Sequence, residues 1–526
     1  MMSPPARSRV GSALPALAAL ALLLSLLTCG GSSKPSEQPP PPSFPPGAVA
    51  LTKLSTDPYT NATSQHATEV EPDTFAFGST IVSAFQVGRI HDGGGADIGF
   101  ATSTDGGTTW NSGFLPGITI FQDGGTFTGV SDASVAYDAK DAIWIICSLA
   151  ILTVNNVSSE TVVVSRSPDG ITWGSPITVT TQGEPDKNWI VCDNTASSPF
   201  YGRCYVEWDD PAAQDLIHMQ TSTDGGLTWG PVLNTANLAT GIGGQPLVQP
   251  NGNVVVPILG LSGSMLAFGS TNGGASWSST VTISSVIDHA ETTPQTGNLR
   301  SGPLPSAEID SAGTVYVVWS DCRFRTGCSS NDLVLSTSSD GTTWTAPARI
   351  PIDPTTSTVD HFIPGLAVDP ASSGSTAHLT LTYYYYPVSN CGAVCEMAVG
   401  FVSSQDGGQS WSAPTQLSDV MSTAWLPTTF SGLMVADYLS TSYINTKPFG
   451  VFAVAQAPSG GALNEAMYVN SNPLLASAVA AAARLSSKGE KPVPHAKSDH
   501  GPRKFYDEDG QFPIPPKRKF LKRARR

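Results

Sequence analysis

The sequence predicts an all-β protein assembled from repeated sheet units, and three observations carry that expectation. Of 526 residues only 13% are charged, while 51 are Gly and 42 Pro. The apolar runs are short and rich in Val, Ile, Tyr and Phe, as in many short strands joined by tight turns. No long window shows a helical apolar period before the Ala-rich stretch near Ala476 to Arg484. Finally, one motif recurs six times, the mark of a repeat architecture.

The elements follow in chain order. Arg7 and Arg9 precede an uncharged stretch, Val10 to Thr28, with the charged-then-apolar order of a signal peptide, assigned to residues 1–28. Leu26-Leu27-Thr28-Cys29 resembles a bacterial lipobox, so Cys29 is the expected lipidation site. Simple secretion and an uncleaved anchor are the alternatives. A Pro, Ser and Gly-rich tether follows over residues 29–47. The repeat body is expected over residues 48–472, and residues 473–526 read as an Ala-rich stretch and a basic, disordered tail.

Charge divides along the chain. Residues 47–483 hold 11 Lys and Arg against 36 Asp and Glu, a net of −25, whereas Lys488 to Arg526 carries +7. An acidic body disfavours nucleic acid, whose phosphates need basic clusters. Cysteine usage fits export: Cys192 with Cys204, Cys322 with Cys328, and Cys391 with Cys395 are close enough for local disulfides. Cys147, inside an apolar run, reads as a buried thiol. The pairs lack zinc-site spacing and neighbouring His, and the acidic loop Asp92 to Asp97 fits no calcium motif. No metal or cofactor is expected.

The motif copies are Ser103 to Trp110 (STDGGTTW), Ser167 to Trp173 (SPDGITW), Ser222 to Trp229 (STDGGLTW), Ser270 to Trp277 (STNGGASW), Ser338 to Trp344 (SSDGTTW) and Ser404 to Trp411 (SQDGGQSW). Their starts lie 64, 55, 48, 68 and 66 residues apart. Asp accepts from backbone N–H groups of its own loop, Gly supplies positive φ, and Trp folds back as an apolar plug. Around each motif four strands can be read, the content of a propeller blade. First strands begin near Glu71, Asp132, Lys187, Gln245, Pro305, Pro364 and Leu433. The seventh unit, with Leu433 to Ser440, Phe449 to Ala455 and Asn464 to Val469, lacks a motif and an outer strand. Ala48 to Ser55 is expected to supply that strand and close the ring. The reading is a β-propeller of seven four-stranded blades, with six as the alternative.

This motif resembles the Asp-box, or BNR, repeat of the sialidase (neuraminidase) superfamily. In that family the box joins the third and fourth strands of a blade, away from the active site, so Asp105, Asp169, Asp224, Asp340 and Asp406 are structural. The resemblance implies three arginines for a substrate carboxylate, a Tyr–Glu nucleophile and an Asp acid/base. Tyr438, in ADYLSTS, resembles the nucleophile, with Asp132 and Asp437 as candidate catalytic carboxylates, and Arg323, in VYVVWSDCR, resembles the second arginine. Arg89, Arg300, Arg325, Lys187 and His361 are further candidate substrate ligands, and Trp189 a stacking platform. The longest loop on this face, Ile287 to Leu304, reads as a lid.

The chain departs from the family pattern. Glu69-Val70-Glu71-Pro72 stands where the first-strand R-I-P is expected, and Pro303-Leu304-Pro305 where the partner Glu is expected. The favoured reading is therefore an exported propeller that binds glycan or another polymer at the cell envelope, meeting the membrane only through a lipid anchor. The alternatives are a sialidase-like glycoside hydrolase with a rearranged arginine cluster, and a structural or protein-interaction propeller.

Overall fold

The structure, a computed structural model, describes residues 49–293, 297–389, 391, 395–474, 485–486 and 490–494. The export segment, Cys29, the tether and most of the basic tail lie outside the described residues.

The described chain is all-β, built from antiparallel sheets that follow one another in sequence. The first sheet orders Glu69–Phe77, Thr80–Arg89, Gly95–Ser103 and Asn111–Phe114. The second orders Gly129–Asp138, Ile143–Val154, Val157–Ser167 and Ile177–Thr180, and one pairing, Gly95 with Val130, joins it to the first. The third orders Asp186–Cys192, Cys204–Asp210, Leu216–Ser222 and Leu233–Asn234. In the fourth the inner edge is split between Gly241–Ile242 and Leu247–Val248, followed by Val254–Gly260, Ser264–Ser270 and Val281–Ser285. The fifth orders Ser306–Ile309, Val315–Asp321, Asp332–Ser338 and Ala348–Arg349, and the sixth Asp360–Val368, Leu379–Tyr386, Glu396–Ser404 and Thr415–Gln416. The last runs Ser440–Ile444, Lys447–Ala455, Glu465–Asn470 and then Leu51–Lys53, from the other end of the described chain.

Leu51 pairs with Asn470, Thr52 with Val469 and Lys53 with Tyr468. The expected partnership between the N-terminal strand and the last sheet is therefore present. The first strands also neighbour one another in cyclic order, from sheet one through sheet seven and back to sheet one. Middle strands are buried on both faces, as over Val254–Gly260, because each sheet lies between two others. This explains why they read as unbroken apolar runs and not as an alternation.

One strand expectation needs correction. The seventh first strand is Ser440–Ile444, not Leu433 to Ser440, and Gly432–Leu433 pairs instead with Thr428–Thr429. The reason is a two-residue turn: Asn445 and Thr446 have φ of 49° and 65° and reverse the chain directly into Lys447–Ala455. Asp437 and Tyr438 thus precede the strand.

All six repeats form the same turn. The Ser hydroxyl accepts from the N–H of the last Gly of its own loop, as in Gly107 N to Ser103 Oγ at 2.8 Å and Gly341 N to Ser338 Oγ at 2.9 Å. The Asp carboxylate accepts from the N–H just before the Trp, as in Thr109 N to Asp105 Oδ1 at 2.9 Å. In the fourth copy Asn272 accepts equivalently from Ser276 N at 3.0 Å. Gly107, with φ of 85°, could not carry a Cβ without meeting the Phe449 ring at 2.3 Å. Each Trp staples its turn to the preceding sheet: Trp173 meets Phe100, and Trp277 meets Tyr205 as well as Phe268.

The three expected disulfides are present, Cys192–Cys204, Cys322–Cys328 and Cys391–Cys395, and Cys147 is a buried thiol whose pKa burial raises. In the tail, Leu485–Ser486 pairs with Ser410–Trp411, and Val493 N donates to Arg323 O at 2.8 Å. No helix among the described residues is long and apolar enough to cross a membrane.

Candidate functional site

The site begins with an irregularity repeated in the first strands. Sheets one, two, three and six each carry a register shift there, at Glu71, Asp132, Lys187 and Ile363, with φ of 56°, 46°, 49° and 47°. A bulge re-aims a side chain out of the strand's alternation. Here it turns Glu71, Asp132 and Lys187 toward one another.

Lys187 is the hub. Its Nζ lies 2.6 Å from Asp437 Oδ2, 3.8 Å from Asp132 Oδ1 and 4.0 Å from Glu71 Oε1. Arg300 binds the same Asp437, through Nε to Oδ1 at 3.1 Å and through Nη2 to Oδ2. All five side chains are buried, so the ion pairs act in a low dielectric where loss of one partner is costly. Glu71 also takes a hydrogen bond from Gln86 Nε2, and Gln86 Oε1 accepts from Arg89 at 3.4 Å. In the sequence Glu71 stands out only as part of the departure from the family's first-strand motif, and Gln86 gives no signal.

Tyr438 stands beside this network. Its hydroxyl donates to Ala133 O at 3.4 Å, and its ring meets Trp189 edge-on at 5.1 Å between centroids. A small cavity of about 130 Å³ opens next to Arg300, lined by Lys187, Asp288, Glu291, Asn298, Ser301 and Asp437 among others. Part of the expected lid forms its wall. Glu291 is anchored by Asn331 Nδ2 at 2.6 Å and by Ser301, and Arg300 N donates to Leu433 O at 2.8 Å. Burial, then the charges of Asp360 and Asp288, pushes Glu291 well above the usual carboxylate range.

The structure therefore gathers Tyr438, Asp132, Asp437, Lys187, Arg300 and Trp189. It does not bring the other candidates to them. Arg89 is fully buried, donating to Gly94 O at 2.7 Å and to Met434 Sδ at 3.1 Å. Arg323 is held by Asp321, Nε to Oδ1 at 2.8 Å, and by Ser284 at 3.0 Å. Arg325 and His361 sit between sheets five and six, where Arg325 Nη2 lies 2.6 Å from Asp332 and 2.5 Å from Asp353. His361 Nδ1 faces Asn331 O at 3.1 Å, and burial lowers the ring's pKa.

Behind the network lies a larger cavity of about 880 Å³, lined by the first strands of all seven sheets. It is not the face that the sequence pointed to. Asp73 and Glu308 line it, and burial raises their pKa values to about 7 and about 8, with Asp73 adding to the rise in Glu308. Neither was singled out from the sequence, because each looks like an ordinary strand residue there.

The chain is similar in fold to solved sialidases. It aligns with leech intramolecular trans-sialidase in complex with 2,7-anhydro-Neu5Ac at 13% identity, over 63% of this chain and 67% of that one, with a TM-score of 0.41. Trypanosoma rangeli sialidase with the inhibitor DANA aligns at 11% identity, over 81% of this chain and 58% of that one, with a TM-score of 0.42. An ulvan lyase of polysaccharide lyase family PL25 aligns at 10% identity, over 80% and 95%, with a TM-score of 0.46. No family model and no curated protein matches the chain. Likeness at this level does not transfer residues or activity.

Proposed function

We propose that this chain is an exported seven-bladed β-propeller that binds glycan or another extracellular polymer at the cell envelope and does not hydrolyse sialosides. The cyclic contact of first strands around one cavity, with Leu51–Lys53 completing the last sheet, supports the blade count. Three local disulfides fit an oxidising compartment. Lipidation of Cys29 would keep the propeller at the membrane surface.

The observation that carries the binding reading is the fate of the cations. Lys187 and Arg300 are both committed to Asp437, and Arg323 to Asp321. A carboxylate-reading triad needs guanidinium forks aimed at one point of the site. Here the mouth instead offers carboxylate, amide and hydroxyl groups from Asp288, Asn298, Ser301 and Ser431, suited to sugar hydroxyls. A cavity of about 130 Å³ suits the end of a chain better than its middle.

One observation favours a hydrolase as the second reading: Tyr438 lines a pocket with Asp132 and Lys187, close to Asp437. The two readings separate in one experiment. Wild type is expected to be retained on an insoluble envelope polysaccharide and to release no product from sialoside or other reporter glycosides. Asn298→Ala, at an exposed residue of the cavity lining, should weaken retention several-fold without altering the melting temperature. Turnover by wild type that Tyr438→Phe abolishes would establish the hydrolase instead. In the same cells Cys29→Ser should move the protein from membrane to soluble fractions, and unchanged fractionation would remove the anchor from this reading.

A further inference from the structure

Between sheets five and six lies a second cluster. Asp332 opens the strand Asp332–Ser338, Asp353 follows Ala348–Arg349, and His361 is the second residue of Asp360–Val368. One ligand atom from each of these three lies within 4.8 Å of the other two. All three side chains are buried, at 1%, 5% and 1% exposure.

The hydrogen-bond accounting is unusual. The Oδ1 atoms are used: Asp332 Oδ1 accepts from Arg325 Nε at 2.9 Å and lies 2.8 Å from Arg349 Nε, and Asp353 Oδ1 accepts from Arg349 Nη2 at 3.0 Å. Asp332 Oδ2, Asp353 Oδ2 and His361 Nε2 are buried with no hydrogen-bond partner among the described residues, as is the hydroxyl of Tyr383. The Tyr383 ring lies 5.6 Å from that of His361. His361 Nδ1 faces the carbonyl of Asn331, so in the neutral ring Nδ1 carries the proton and Nε2 presents a lone pair. Arg325 and Arg349 already neutralise the two carboxylates through Oδ1, so what stays unsatisfied is the remaining lone pair of each carboxylate and that of the imidazole, a cost that a bound cation would remove.

We propose that Asp332, Asp353 and His361 form a structural binding site for a transition-metal ion of the zinc class, with Tyr383 as a fourth neighbour. One imidazole nitrogen and two carboxylate oxygens are a ligand set suited to zinc. Calcium, which takes six to eight oxygens, is poorly served by one imidazole and two carboxylates. The outer contacts also fit. The Asn331 carbonyl fixes the His361 tautomer, and Arg325 and Arg349 hold the carboxylates by their other oxygens. Those guanidiniums oppose a cation, an effect that Glu490, 3.2 Å from Arg349 Nη1, reduces. The ion would clamp sheet five to sheet six far from any sequence motif.

The test uses the full exported chain, stripped with a chelator and titrated with zinc and with cobalt. About one equivalent of zinc should bind and raise the melting temperature, and cobalt should give visible absorption of a low-symmetry four-coordinate site. His361→Asn keeps an N–H for the Asn331 carbonyl and removes the metal-facing nitrogen. It should lose the cobalt spectrum and the zinc-dependent rise while the metal-free protein melts as wild type does. The proposal is overturned if wild type shows neither cobalt absorption nor any response to zinc, in which case a proton or water occupies the cluster. It is equally overturned if His361→Asn binds zinc as well as wild type. Should the variant fail to fold, the wild-type cobalt spectrum alone decides.

Discussion

Single residues divide here into those that hold sheets together and those that face a cavity, and burial sorts them better than residue type. The six repeat Trp residues are one type in one motif, yet Trp411 is 1% exposed, Trp277 4% and Trp173 8%, while Trp110, Trp229 and Trp344 are half-buried. Trp411 also donates its indole N–H to Gly408 O at 3.1 Å and packs in the core shared by sheets five and six. Trp411→Ala should therefore cost about 3–5 kcal/mol, read as a shift in urea midpoint. Trp110→Ala should cost distinctly less, since less of its surface leaves water. Equal losses would mean that the plug works through the turn it closes and not through burial. The sequence reading treated Trp110, Trp229 and Trp411 as equivalent, because the motif is local and says nothing about how tightly the neighbouring sheet meets each ring.

At the scale of elements, the repeat turn explains why so much of the strand order was legible. A Ser, an Asp and a Gly within a few residues satisfy the turn's own N–H groups, so the signal is contained in the motif. The same locality gives a pH prediction. The Thr109 hydroxyl, then its N–H, holds Asp105 down at about 2 from an ordinary 3.8. Asp340 is likewise lowered, chiefly by the N–H groups of Thr343 and Thr342. A carboxylate whose folded pKa is depressed stabilises the fold fully above its unfolded value and loses that contribution as pH falls through the folded one. Wild type should thus lose melting temperature from this source between pH 4 and pH 2, and Asp105→Asn should lose less. At pH 7 the variant should stay within a few degrees of wild type, because Asn272 already accepts the equivalent bond. A deficit at pH 3 as large as the one at pH 7 would show that charge is not what the turn uses. What the sequence hid was non-local. Lys187 and Asp437 are 250 residues apart and Arg300 and Asp437 137, so no spacing rule joins them. The displaced seventh strand has a different cause: Asn445-Thr446 is a weaker turn signal than a Gly pair, and the apolar Leu433 to Leu439 run looked more like a strand.

For the whole molecule the decisive contact is the one between Leu51–Lys53 and Glu465–Asn470 of the last sheet. Lys53 and Tyr468 face each other across an antiparallel pairing, Leu54 N donates to Met467 O at 2.8 Å, and Ser55 Oγ accepts from Met467 N at 2.8 Å while donating to Glu69 at 2.8 Å. Ser55 thereby ties the last sheet to the first strand of the first one. Without Leu51–Lys53, the strand Glu465–Asn470 would present an unpaired edge, which invites pairing with another chain. Directly opposed residues on antiparallel strands have Cα atoms roughly 4.5–5.5 Å apart, within the span of a disulfide. Lys53→Cys combined with Tyr468→Cys should therefore crosslink under oxidising conditions, visible as faster migration of the unreduced chain. Closing so long a loop should raise the melting temperature, since a crosslink stabilises by about 2–4 kcal/mol. Deletion of residues 49–55 should do the reverse, lowering stability and producing dimers on gel filtration. If the double cysteine variant stays reduced while the deletion remains monomeric and equally stable, the ring is not closed by this strand, and the seventh sheet must finish in some other way.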